Sequence, residues 1–398
     1  MKKHIYLSGA LILGLSTCLV ACDDDDDDDS SSSDSSTSTS NYDYAYSSSN
    51  ADSWMNYAIN TAKLLSSDAS DLYEAWNDSY DGGDAFATTF TAHESGDYKS
   101  ALNCVEQIIE GCRDIANEVG EAKIGDPLNL YQQGSTTEAL YAVESWFSYH
   151  SRDDYSNNII SIQNSYYGSY NDGITADIAN GVIADNSLAA LIKSVNSDLH
   201  TQVDDAITAA WEAIQAIPQP FRNNIYCDES LAAQDACAEL YTVLGTLESY
   251  IDDNNDINSD DVLDPIVENY VEVVVLPTYA KLQELNAELL TAVNTLSDNR
   301  TNANFEAAAE AWLAAREPWE KSEAFLFGPV DNLGLDPNMD SWPLDIEAII
   351  QVLESNSWSS MEWDEEDDDD AIEAAQSVRG FHTLEFLLFY EGEPRTVD

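Results

Sequence analysis

The sequence predicts an all-α protein built from two packed helical bundles, and three observations carry that expectation. Apolar residues recur at intervals of three and four along most of the chain from about Ala51 onward. Gly and Pro are few, 17 and 10 in 398 residues, which disfavours a fold of many short strands and tight turns. Hydrophobic residues make up 44% of the chain, with 9 Trp, 21 Tyr and 10 Phe, so a large core can form despite a strongly acidic balance.

Taken in order, residues 1–21 read as a leader. Lys2 and Lys3 precede a short apolar run from Ile5 to Val20, too short and too closely followed by acid to be a stable membrane span. The run ends in Leu19-Val20-Ala21-Cys22, which resembles a bacterial lipobox, where the cysteine becomes the lipidated first residue. An ordinary secretory signal is the simpler alternative. Asp23 to Asp29 then form an unbroken acidic run followed by Ser/Thr-rich sequence, so residues 22–50 read as a solvated tether. Acid directly after such a cysteine resembles the surface-export signal of Bacteroidetes-type lipoproteins. The expected location is the outer face of the outer membrane, with its periplasmic face as the alternative.

Residues 51–250 form the first expected bundle. Its apolar periodicity runs through Trp54, Tyr57, Ala58, Ala62 and Leu65, then through Leu102, Val105, Ile108, Cys112, Ile115 and Val119, and later over Leu188 to Ile217 and Leu231 to Ile251. The polar run Asp252 to Asp261 leads into a second bundle over 251–398, with periodic segments at Val262 to Leu296, Phe305 to Phe325 and Ala371 to Phe389. Breakers separate these segments: Gly125-Asp126-Pro127, Gly168, Asn171-Asp172-Gly173, Pro218 with Pro220, and Gly328-Pro329. Val271 to Leu276 has strand-like composition but is read as helix, with Pro277 absorbed as a kink. Of the four cysteines beyond Cys22, Cys104 and Cys112 are too far apart on one helix to bridge. Cys227 and Cys237 are the more feasible pair.

Charge narrows the function. Fifteen Lys+Arg against 75 Asp+Glu give a formal net charge of −60, which excludes a duplex-nucleic-acid binder and disfavours an anionic membrane surface. The same field concentrates cations at the surface. The acids at 364–370 complement the N-terminal end of the helix that follows, and the simplest reading of such a run is a solvated loop.

Two segments carry candidate chemistry. In the last helix His382 and Glu385 are three residues apart, so both project from one face and can contact one ion. Apolar neighbours on nearly every side imply burial, and a buried imidazole and carboxylate need partners. Taken alone, the pair reads most simply as a satisfied part of the core. Gly380, two positions earlier, implies close approach of a neighbouring helix or ligand. The second segment places Arg316, Trp319 and Glu323 along one helical stripe, where Glu323 supplies a third donor if the stripe faces the His382 helix. His93-Glu94 is followed by Asp97, not a second His, and reads as a solvated loop or helix start.

Gly380-x-His382-x-x-Glu385 followed by Phe386-Leu387-Leu388 resembles the signature of the imelysin-like family. The block Trp312, Arg316, Trp319, Glu323 to Pro329 and the block Asp340-Ser341-Trp342-Pro343 resemble further characteristic blocks. So does Glu144-Ser145, Ser148, Ser151 to Asp154 with Asn158 and Tyr167-Gly168. Their order is altered here: the Glu-Ser block comes first and the His helix ends the chain, which resembles a circular permutation. The resemblance implies an all-α fold of two bundles with the His helix near their interface, a nominal metallopeptidase activity, and a tie in several members to iron acquisition. It implies His382, Glu385 and Glu323 as metal ligands, with Glu385 and His382 catalytic if the protein is a peptidase. Arg316, Asp340, Glu144 and Ser148 follow as supporting or cleft residues. Iron is the favoured ion, with zinc and calcium as alternatives, and the expected partners are a metal ion or metal complex, the membrane through the lipid anchor, and an outer-membrane transporter. The functional expectation is therefore a lipid-anchored metal binder in uptake. A peptidase and a structural or adhesive surface lipoprotein are the alternatives.

Overall fold

The computed structural model describes residues 43–93, 96–171, 177–364 and 367–397. The leader, Cys22, the Asp23 to Asp29 run, the breaker residues Asp172 and Gly173, and Glu365 and Glu366 of the later acidic run lie outside the described residues. The first half of the chain forms helices α1 (Ala51–Asn77), α2 (Phe86–Thr91), α3 (Ala101–Asn117), α4 (Asp126–Gln132), α5 (Thr136–Tyr141), α6 (Ser151–Tyr167), α7 (Leu188–Val195), α8 (Ser197–Ala216) and α9 (Asp228–Asp252). The second half forms α10 (Asp260–Asn269), α11 (Leu276–Asp298), α12 (Asn302–Glu320), α13 (Pro329–Asn332), α14 (Leu335–Asp340), α15 (Ile346–Ser355), α16 (Asp369–Gln376) and α17 (Gly380–Leu388). Strands β1 (Phe389–Tyr390) and β2 (Glu393–Pro394) pair antiparallel in a single short ladder, Phe389 opposite Pro394. The fold is all-α, as the periodicity predicts.

Local chemistry sets several boundaries. Ser100 caps α3 by accepting from the Asn103 amide at 3.2 Å, and Thr301 caps α12 by accepting from the Asn304 amide at 3.2 Å. Asn196 accepts from the Leu199 amide at 3.1 Å, which divides the expected Leu188 to Ile217 segment into α7 and α8. The strand-like Tyr270–Val275 stretch is helical in a wide π register, with the Leu276 amide donating to the Val271 carbonyl. Pro277 lacks an amide and follows directly, so the irregularity falls at the π turn rather than as a kink inside α11.

Packing does not follow the two sequence halves. α1 lies along α11 and also touches α17, α11 packs on α12, and α3 touches both α9 and α10. Gly111 of α3 brings that helix's backbone against the Ala324 carbonyl, leaving no room for a Cβ. α17 sits where α1, α12 and α14 meet, and every one of its residues is buried. Indole donors pin both its ends: Trp312 Nε1 donates to the Phe381 carbonyl and Trp54 Nε1 to the Leu387 carbonyl, each at 2.9 Å.

Three sequence expectations are corrected. The Ala371 to Phe389 segment is two helices, because Gly380 adopts φ +87° and opens α17 afresh. Asp368 accordingly caps α16, accepting from the Ala371 amide at 3.0 Å, and not the His382 helix. Cys227 and Cys237 are free thiols, as are Cys104 and Cys112. Cys227 immediately precedes α9 and Cys237 lies within it, a rise of about 15 Å at the helical repeat, which no disulfide spans. His93 is not solvated: its side chain is 14% exposed and faces Asp264.

Candidate metal centre

Three backbone features assemble the site. Gly380 opens α17 in the left-handed region, and a Cβ there would sit 2.5 Å from the Met339 carbonyl oxygen. Only glycine permits that approach, and it sets His382 opposite Asp340 at the end of α14. The loop before α6 holds Ser145 at φ 50° and Tyr149 at φ 63°, two uncommon left-handed non-glycine residues. This loop aims the Phe147 and Ser148 amides at α17. α12 ends at Glu320, so Glu323 lies on a 3₁₀ turn, Glu323–Phe325, beyond the stripe that the seven-residue spacing implies.

His382 is the hub. Its Nδ1 lies 3.2 Å from Glu385 Oε2, while its Nε2 faces Asp340 Oδ1 at 3.0 Å, Glu144 Oε1 at 3.4 Å and Arg316 Nη2 at 3.4 Å. The Trp342 ring stands over the imidazole, centroids 4.9 Å apart. Glu385 is fully engaged: its Oε1 accepts from the Phe147 amide at 3.0 Å, the Ser148 amide at 2.8 Å and Ser148 Oγ at 2.7 Å. That carboxylate fixes the ring and presents Nε2 outward, the arrangement of a histidine ligand backed by a carboxylate.

Arg316 is completely buried among carboxylates. It pairs with Glu144 at 2.6 Å, with Asp340 and with Glu320, and its Nε lies 3.8 Å from Asp154. Asp340 also accepts from Trp319 Nε1 at 2.7 Å. Lys123 reaches Glu144 at 3.2 Å, Glu118 at 3.8 Å and Glu323 at 4.0 Å. Beneath them Glu320 Oε2 accepts from Asn158 of α6 at 2.6 Å.

Acids outnumber bases in this network, and their ionisation divides accordingly. Burial opposes the charge on Glu144, but Lys123, His382 and Arg316 more than reverse it and hold the carboxyl at about 2. Asp340 is likewise held well below the carboxylate range by Arg316 and His382 against the effect of burial. Burial and Arg316 both oppose a charged His382, yet Asp340 and Glu144 carry its pKa well above 6.5. Burial pushes Glu320 up to about 8 and Glu323 well above its ordinary value, and burial with nearby Asp340 pushes Asp336 up to about 7. These raised acids mark a deficit of positive charge.

Two sets of metal-ligating groups result. Donor atoms of His382, Asp340 and Glu144 lie within 4.8 Å of one another, and so do those of Glu320, Glu323 and Asp340, which share Asp340. One imidazole nitrogen and two carboxylates suit iron or zinc, so the residues present fit such an ion. Of the sequence candidates, His382, Asp340, Glu144 and Arg316 come together directly. Glu385 and Ser148 meet behind the imidazole, and Glu323 lies on the far side of Asp340. Sequence reasoning missed Glu320 and Lys123. Glu320 stands four residues after Arg316, an ion-pair spacing that reads equally well as surface chemistry.

The imelysin family model matches residues 25–250 and 275–398. An imelysin peptidase of known structure from Bacteroides ovatus is 58% identical, covers 90% of this chain and 100% of that chain, and superimposes with a TM-score of 0.87. The iron-regulated protein A of Synechococcus elongatus is 36% identical over 132 residues, 33% of this chain and 33% of that protein. This chain therefore spans about a third of the length of that curated relative.

Proposed function

Because the chain belongs to the imelysin family, we propose that it is a lipid-anchored extracytoplasmic protein that binds iron, or another metal ion, and serves metal uptake. The observation that carries this reading is the convergence of His382 Nε2, Asp340 and Glu144 with Glu385 fixed behind the ring. The name of the Synechococcus elongatus relative supports iron over zinc and calcium. The Cys22 motif and the acidic run after it support anchoring at the outer membrane, on its outer face. The partner in this reading is an outer-membrane transporter that receives the ion.

In this reading His382, Asp340 and Glu144 hold the ion, with His382 Nε2 releasing its proton to solvent as the ion binds, and Glu320 with Glu323 extend the carboxylate set around Asp340. A bound ion supplies the positive charge that the raised acids lack. Arg316 is the resident cation on the same oxygens, so the ion has to share or displace its contacts with Asp340 and Glu144. Ser148 and the Phe147 amide hold Glu385 by three hydrogen bonds, and Glu385 in turn keeps the imidazole in place.

The test is titration of iron, zinc and calcium into protein purified without chelators, for the wild type and His382→Ala. The variant should lose the iron-binding event of the central site while its helical circular-dichroism signal persists. Unchanged affinity removes the site. A peptidase reading has support in the name of the Bacteroides ovatus relative. Chelator-sensitive cleavage of a protein substrate that disappears in Glu385→Gln would favour it over cargo binding.

A further inference from the structure

A third group of metal-ligating side chains lies on elements that contribute nothing to the central network. His93 follows α2, and Asp260 and Asp264 stand one turn apart at the start of α10. Donor atoms of the three lie within 4.8 Å of one another. His93 Nε2 and Asp264 Oδ1 are 3.1 Å apart, both are sealed from solvent, and neither makes a hydrogen bond. At that separation a bond fails only because the ring N–H does not point along the line between the atoms. The two atoms stand within ion-pair distance but outside hydrogen-bond geometry, an arrangement that a third group bound to both would complete.

The local backbone supports the same conclusion. His93 is held in the left-handed region at φ 55°, uncommon for a residue with a side chain, and this turn carries its ring to α10. Asp260 is anchored by accepting from the Ala101 amide at 2.9 Å, which fixes α10 to the start of α3. Acids in the first turn of α10 complement the helix dipole, and that accounts for Asp260. It accounts for neither Asp264, a turn further on, nor the imidazole that meets it.

We propose that His93, Asp260 and Asp264 bind a divalent transition-metal cation of the zinc type, with water completing its shell. One imidazole and two carboxylates are a donor set for such an ion, and the exposed side of Asp260 leaves positions open to solvent. The ion ties the turn after α2 to α10, two segments far apart in sequence, and so stabilises the folded chain in proportion to its occupancy.

The experiment is calorimetric titration of zinc into the full chain in excess magnesium, which occupies the diffuse acidic surface. Wild type, His93→Ala, Asp264→Asn and His382→Ala are compared, each checked for folding by circular dichroism. A zinc-binding event should vanish in His93→Ala, weaken by more than about tenfold in Asp264→Asn, and persist in His382→Ala. The zinc-induced rise in Tm should follow the same pattern. Zinc binding unchanged in both His93→Ala and Asp264→Asn overturns the proposal, as does an event removed only by His382→Ala. If His93→Ala does not fold, Asp264→Asn decides alone.

Discussion

α6 and α17 are both buried along their length, yet they are built from opposite materials. α17 is apolar except for His382, Thr383 and Glu385, and burial of its hydrophobic residues explains its position. α6 buries Asp154, Ser156, Asn157, Asn158, Ser161, Gln163, Asn164 and Ser165. Its hydroxyls fold back on the helix, Ser156 Oγ donating to the Arg152 carbonyl at 2.7 Å and Ser165 Oγ to the Ser161 carbonyl at 2.9 Å. Its amides reach outward instead, Asn158 to Glu320 and Gln163 Nε2 to the Ile178 carbonyl at 2.9 Å. The difference teaches a division of labour: α17 delivers the titrating groups, while α6 supplies the polar bed on which the surrounding acids are tolerated.

Arg316, which touches Asp154 of α6 and His382 of α17, tests that division most severely. Arg316→Met leaves Glu144, Asp340 and Glu320 buried without their main cation and should cost about 3–5 kcal/mol in urea denaturation. A loss below about 1 kcal/mol would mean that the acids take up protons or water freely. Asn158→Ala removes the α6 donor to Glu320 and should cost about 1.5–3 kcal/mol. If it proves neutral, α6 is not supporting the acids. Gly380→Ala imposes φ +87° on a side chain that also meets the Met339 carbonyl, and should cost about 1–3 kcal/mol. Its metal affinity should fall too, because His382 shifts with the start of α17.

The smallest expected effect is on pH dependence. Burial opposes a charged His150, but Asp154 beside it, with Nδ1 to Oδ1 at 2.8 Å, carries its pKa from 6.5 up to about 9. A raised folded-state pKa stabilises fully below 6.5 and loses that contribution as pH rises through about 9. Thermal melts of wild type should therefore fall between pH 6.5 and 9 by more than those of His150→Asn. Parallel melts would assign the slope to other groups.

The two helices also differ in how far the sequence discloses them. α17 is legible because Gly380, His382 and Glu385 interrupt an apolar run, and an imidazole in such company has to be explained. α6 is not, since a string of Ser, Asn and Asp resembles a solvated face until its neighbours are known. The Arg316 to Glu323 stripe was readable as a cluster, but its geometry was not: α12 stops at Glu320, and Glu323 reaches the site from a separate turn. Lys123 is not legible for the same kind of reason, because its partners Glu144 and Glu323 are placed beside it by tertiary packing. The break before Gly380 depends on the carbonyl of Met339, 41 positions back, which no local pattern encodes.

The contact between Gly111 and the Ala324 carbonyl gives remote access to this chemistry. A single methyl group at position 111 would act as a wedge between α3 and the turn that carries Glu323, displacing that turn without altering any charge. The spacing of the carboxylates around Asp340 is thus adjustable from a helix that supplies none of them.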